Sequence, residues 1–170
     1  VQSAVRAFAD GRLSPGALVG QLNRAVVRSA PSGKFVTLFY AELDHARGRL
    51  RYVNAGHNYP RLRRADGAIE SLIAGGLPLG MLEDRPYEEA ELAFGPGDSL
   101  LLFSDGISEA MDSFRQEFGE DRLESLWREC GRGAGVASID RIMDEVIRFR
   151  GAALQSDDMT TLVVAPASGA

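Results

Sequence analysis

The spacing of apolar side chains divides this chain into helix-forming ends and a strand-rich middle. Residues 1–9 read as a helix already in progress, closed by Asp10-Gly11. Ser14-Pro15 then opens a second helix, with Ser14 as N-cap and Pro15 at the first helical position, where a missing N–H costs nothing. Leu18, Leu22, Ala25 and Val26 fall on one stripe of it. Ala30-Pro31-Ser32-Gly33 ends it.

From Phe35 the period changes. Phe35–Ala41 is almost wholly apolar, aromatic and β-branched, the pattern of a strand covered on both faces. A turn over Asp44–Gly48 and a partner strand over Arg49–Ala55 make this a hairpin. Tyr59–Arg64 and Ala68–Leu72 flank Ala65-Asp66-Gly67, a second hairpin signal. Gly75–Gly80 reads as a loop. Tyr87–Phe94 alternates as a half-exposed strand, and Gly95-Pro96-Gly97-Asp98 turns the chain into the buried strand Ser99–Phe103.

Helical spacing returns in a short Ile107–Met111 turn, in Asp121–Cys130 closed by Gly131, and in Ser138–Arg150 with Ser138 as N-cap. The last of these carries Ile139, Ile142, Met143, Val146 and Ile147 on one face. Met159–Val164 is a closing strand. Hairpins bracketed by helices predict a layered α+β sandwich of mostly antiparallel sheets, with no repeat or linker dividing residues 1–170.

Composition narrows the chemistry. The formal charge is −5 with no basic run, which argues against a nucleic-acid surface. No apolar run approaches the ~20 residues of a membrane helix, and the start has none of the order of a signal peptide, so a cytoplasmic location is expected. Cys130 is the single cysteine, which excludes a disulfide framework and a cysteine-based zinc site. With His45 and His57 as the two histidines, any metal must be held by carboxylates, the donors of hard ions such as Mg²⁺ and Mn²⁺. The chain opens on Val1 in mid-helix, which reads as a piece of a longer protein.

Two acidic segments are candidates. In Ser104-Asp105-Gly106 a carboxylate follows the apolar run Leu100–Phe103, where an unpaired charge against a core would be costly. Gly106 leaves room beside it. The competing reading is that Asp105 caps the helix that follows. In Ser156-Asp157-Asp158-Met159-Thr160 two adjacent carboxylates precede the last strand, and taken alone they read as a loop with an Asx-turn. Should the strands at 99–103 and 159–164 be neighbours, Asp105 and Asp157 would project onto one rim of a sheet. Glu109, four residues after Asp105, would orient a metal-bound water or favour the first helical turn. His57 has the chemistry of a general acid, and the competing reading is structural, with its ring hydrogen-bonded in a loop shaped by Asn54 and Gly56.

Several segments, in order and spacing, then become recognisable: Phe35–Tyr40, Asn54-Ala55-Gly56-His57-Asn58-Tyr59-Pro60, Gly76-Leu77-Pro78-Leu79-Gly80, Pro96-Gly97-Asp98, Ser104–Ala110, Phe118-Gly119 and Asp157–Leu162. Together they resemble the bacterial SpoIIE-like branch of the PPM (PP2C-type) metal-dependent serine/threonine protein phosphatases. The resemblance implies a four-layer α-β-β-α sandwich with two Mn²⁺ or Mg²⁺ ions between its sheets. It matches Asp105 and Asp157 to metal-binding aspartates and leaves Asp158 and Glu109 around them. It implies a metal-activated water attacking the phosphorus of phosphoserine or phosphothreonine. The implied substrate is a regulatory phosphoprotein, an anti-sigma-factor antagonist, and the implied regulator is an upstream sensory domain.

The chain departs from the family at its start. Nothing before Asp98 matches the family's upstream metal-binding aspartates. Two divalent ions carry +4, while Asp105, Asp157 and Asp158 offer −3 at most. The expectation is therefore an N-terminally incomplete phosphatase domain. The alternative is a catalytically silent binding or signalling module with the same fold.

Overall fold

The computed structural model describes residues 13–31, 33–130 and 135–166. The helix expected over residues 1–9 and the stops at Ser32 and Gly131 lie outside these. The elements, in chain order, are α1 (Pro15–Ser29), β1 (Leu38–Asp44), β2 (Arg49–Ala55), β3 (Arg61–Arg63), β4 (Ile69–Ser71), β5 (Gly75–Gly76), β6 (Ala90–Ala93), β7 (Ser99–Phe103), α2 (Asp105–Ser108), α3 (Glu120–Glu129), α4 (Val136–Arg150) and β8 (Thr161–Val164). The mixed α+β class is as expected. The chain forms two compact units that interleave in sequence, one holding the residues up to His57 with Ile73–Phe94, the other Asn58–Leu72 with the residues from Gly95 onward.

In the first unit β1 and β2 pair as an antiparallel hairpin from Leu38↔Ala55 to Asp44↔Arg49. β6 pairs antiparallel to β2, and β5 lies parallel to it. Helix α1 starts as its sequence predicts: the Ser14 side chain accepts a hydrogen bond from the Ala17 N–H, and Pro15 follows. Its stripe Leu18, Val19, Leu22 and Val26 packs on Val53, Ala55, Leu79 and Tyr87. Each fully buried aliphatic side chain there contributes about 2 kcal/mol. Buried Asn23, at the edge of the same face, holds a loop, donating to the carbonyls of Leu82 and Glu83 and accepting from the Gly80 N–H.

The first strand departs from expectation. It begins at Leu38 rather than Phe35, and Phe35 is 57% exposed. No residue of Leu38–Asp44 is buried, so the run is not covered on both faces. Gly75-Gly76, expected in a loop, runs as a two-residue strand. A Cβ at Gly75 would stand 1.7 Å from the Asn54 carbonyl oxygen, so only glycine permits that approach.

The second unit is a four-stranded antiparallel sheet in the order β4-β3-β7-β8. β7 and β8 are separated by more than fifty residues yet pair from Leu100↔Val164 to Phe103↔Thr161. Its core joins Leu101 and Phe103 to Ile107, Phe118, Leu123, Trp127, Ile142 and Val146. Cys130 packs at the edge of this cluster. Helix α4 begins two residues earlier than expected. Gly135 takes the N-cap position, and Ser138 lies buried in the first turn. Ile147 faces outward, so the buried stripe is Ile142 and Val146 flanked by Met143.

Candidate metal-binding rim

The strand neighbours on which the two acidic segments depend are present. At the end where β7 finishes, β8 begins, so Asp105 and Asp157 leave the same edge of one sheet. Ser104 fastens the two segments. Its N–H donates to the Thr160 carbonyl at 3.0 Å, its hydroxyl donates to the Asp158 carbonyl at 2.9 Å, and the Thr160 N–H donates back to that hydroxyl at 2.9 Å. The sequence alone assigns Ser104 no role beyond its place in the Ser104-Asp105-Gly106 segment. Its place just before an acid and after a buried strand was the available signal.

Asp105 is the first residue of α2, with Ser104 at the N-cap, so it does not cap the helix itself. Its Oδ1 accepts from the Gly106 N–H at 3.0 Å. Asp157 is arranged alike, its Oδ1 accepting from the Asp158 N–H at 2.7 Å. Asp105, Glu109, Asp157 and Asp158 are all exposed to solvent. The cost of a carboxylate against the core, anticipated for Asp105, therefore does not arise. Glu109 is the C-cap of α2, and its N–H donates to the Asp105 carbonyl at 2.8 Å.

Neither Asp105 nor Asp157 has an ion-pair partner among the described residues. Two anionic side chains thus stand on one rim with no cation between them. This donor type fits a hard divalent ion. The donor number does not complete a site: among the described residues no three His, Cys, Asp or Glu side chains form a group that could hold a metal.

The loop around His57 is built as expected. Asn54, buried, accepts from the His57 N–H at 2.8 Å and donates to the His57 carbonyl at 3.0 Å. Gly56 has φ 74°, and a Cβ there would meet Pro78 Cγ at 2.3 Å.

Comparison with known proteins places this architecture. The family described as Stage II sporulation protein E (SpoIIE) matches residues 1–166, and the chain belongs to that family. It is 30% identical over 131 residues to Protein IcfG of Synechocystis sp., covering 76% of this chain and 20% of that protein. It is 27% identical over 169 residues to Phosphoserine phosphatase RsbU of Bacillus subtilis, covering 96% of this chain and 49% of that protein. The chain thus spans half or less of the length of these curated relatives. Among solved structures, the SiaA-PP2C domain of Pseudomonas aeruginosa superposes with a TM-score of 0.78 at 22% identity, over 96% of this chain and 65% of that one. The PP2C phosphatase domain of SpoIIE from Bacillus subtilis superposes with a TM-score of 0.79 at 20% identity, over 95% and 48%. The fold is that of PP2C-type domains. No helix among the described residues is long and apolar enough to cross a membrane.

Proposed function

We propose that this chain belongs to a phosphoprotein phosphatase that hydrolyses phosphoserine or phosphothreonine in a regulatory protein, an anti-sigma-factor antagonist, in the cytoplasm. The pairing of β7 with β8, which sets Asp105 and Asp157 on one rim, carries the reading. The membership of the SpoIIE family supports it. Asp105 and Asp157 would hold Mn²⁺ or Mg²⁺, with Asp158 and Glu109 beside them. Further carboxylates, from outside the described residues, would complete a two-ion site. Bound there, two divalent ions would supply an activated water and neutralise phosphate charge. The chain's own residues fix the two acids. Ser104 locks the backbones together, and the N–H groups of Gly106 and Asp158 each hold one carboxylate oxygen in place. Regulatory input would come from a sensory region elsewhere in the full protein.

A second reading is a silent binding module, favoured by the lack of a complete ligand group among the described residues. One experiment separates the two. The full-length protein is assayed on a serine-phosphorylated protein with Mn²⁺ and with chelator. The phosphatase reading expects Mn²⁺-dependent phosphate release that Asp105→Asn and Asp157→Asn each reduce on the order of 100-fold without lowering the melting temperature. Unchanged turnover in both variants removes the ligand assignment. A parent protein inert with Mn²⁺ favours the silent module.

A further inference from the structure

The chain leaving the rim forms a hairpin that the reading above does not use. Its base is anchored. The Phe118 N–H donates to the Ala110 carbonyl and the Gly119 N–H to the Ser108 carbonyl, each at 2.8 Å. Ala110 and Phe118 are buried, and Phe118 packs edge-on against Phe149 with ring centroids 5.4 Å apart. Met111 bridges to Glu117 above this base. At the apex one oxygen of Asp112 accepts from the N–H groups of Phe114, at 2.8 Å, and Gln116, at 2.9 Å.

This fixed frame holds two side chains in positions that folding alone does not favour. Phe114 is 83% exposed. Arg115 has φ 61° and is the only non-glycine with positive φ among the described residues. Strain of this kind persists where surrounding structure imposes it, and it collects at functional sites. Arg115 is exposed, with no ion-pair partner among the described residues. It is also the only basic residue between Asp98 and Asp121, a stretch holding Asp105, Glu109, Asp112, Glu117 and Glu120. Within that acidic stretch of sequence the apex offers the one basic side chain, next to an exposed phenyl ring.

We infer that the Phe114–Arg115 apex docks the polypeptide around the phosphorylated residue, taking an acidic side chain with an apolar neighbour. The guanidinium pairs with carboxylate or phosphate in bidentate fashion, and the phenyl ring covers the apolar neighbour. The inference rests on the phosphatase reading and adds how its substrate is chosen.

The test compares phosphocasein, an acidic phosphoprotein, with p-nitrophenyl phosphate, which has a phosphate and no flanking chain. Phe114→Ser and Arg115→Gly in the full-length protein should each lower kcat/KM on phosphocasein at least fivefold more than on the small ester, through KM, and Arg115→Lys, which keeps the charge but not the bidentate fork, should recover only part of it. Glycine adopts the Arg115 backbone freely, so Arg115→Gly should melt no lower than the parent, which separates lost docking from lost fold. Equilibrium binding of phosphocasein to the same variants is measured in parallel and should weaken at least fivefold. An unchanged substrate ratio together with unchanged binding overturns the docking tip. Loss of turnover on both substrates in the parent overturns the phosphatase reading instead, and weakened phosphocasein binding by the variants would then still support the tip.

Discussion

Gly106 lies against the peptide that joins Asp158 to Met159: a Cβ at residue 106 would stand 2.4 Å from the Asp158 carbonyl oxygen and 2.9 Å from its carbon. The two acidic segments therefore touch through backbone, where neither can yield by rotating a side chain. Gly106→Ala should force them apart, lowering stability by about 2 kcal/mol and Mn²⁺ affinity with it. Thermal melting and calorimetric Mn²⁺ titration of the same variant check both effects. A variant that melts and binds like the parent would show that the contact is slack.

Ser104→Ala removes both hydroxyl hydrogen bonds of the stitch, to the Asp158 carbonyl and from the Thr160 N–H. The groups left behind are exposed, so water replaces the serine and the loss should be about 1 kcal/mol. That corresponds to about 2–4 °C in melting temperature for a chain of this size. Ser104→Thr keeps the hydroxyl and should restore most of it.

Two buried arginines on β3 should behave in opposite ways. Arg61 donates to the Tyr59 carbonyl and the Ser71 hydroxyl, each at 2.9 Å, and pairs with Glu120 and Glu124 on α3. Arg63 has no carboxylate partner among the described residues. It donates to the Ser99 hydroxyl at 3.2 Å, leaves its Nε unsatisfied, and lies 5.4 Å over the Trp127 ring. Burial pushes its guanidinium below the usual arginine range. Arg61→Met should lose about 2 kcal/mol in urea denaturation, since charge-assisted hydrogen bonds go. Arg63→Met should stay within about 1 kcal/mol of the parent or gain, because the cost of burying an unpaired charge disappears with it.

Acid should loosen the start of α1. Glu89 accepts from the Gly16 N–H at 2.8 Å, and that bond, with the Ser14 hydroxyl, holds its carboxyl below the usual range. A carboxyl depressed in the folded state stabilises above its unfolded value, about 4.3, and that contribution fades as pH falls through the lower folded value. Glu89→Gln should therefore reduce stability at pH 7 slightly and flatten its decline below about pH 4. Identical acid melts for parent and variant would remove the cap.

Local chemistry made much of this legible in the sequence. Ser14-Pro15 marked the start of α1, the glycine-bearing turns marked both hairpins, and the position of Asp105 after four apolar residues marked one half of the rim. What the sequence lacked was adjacency. Nothing in the residues around 99–103 or 159–164 says that these strands pair; family resemblance implied it and backbone hydrogen bonds supply it. Three local readings lost to tertiary context. Ser138 has the chemistry of an N-cap but is buried one turn inside a helix that Gly135 begins. Ile147 continues the apolar spacing of α4 yet faces outward. Gly75 looked like loop because its contact with Asn54 is long-range. The Asp112–Gln116 apex was passed over, although an Asp two residues before a Phe-Arg pair is an Asx-turn signal.

The pairing of β7 with β8 also bears on synthesis. Strands so far apart in the chain meet late, after the cost of closing a long loop has been met. A nascent polypeptide still short of Val164 holds Asp105 but not the strand that brings Asp157 to it. Whatever chemistry the rim performs is withheld until translation has passed that point, so ribosome-bound fragments that end before it should not assemble the rim.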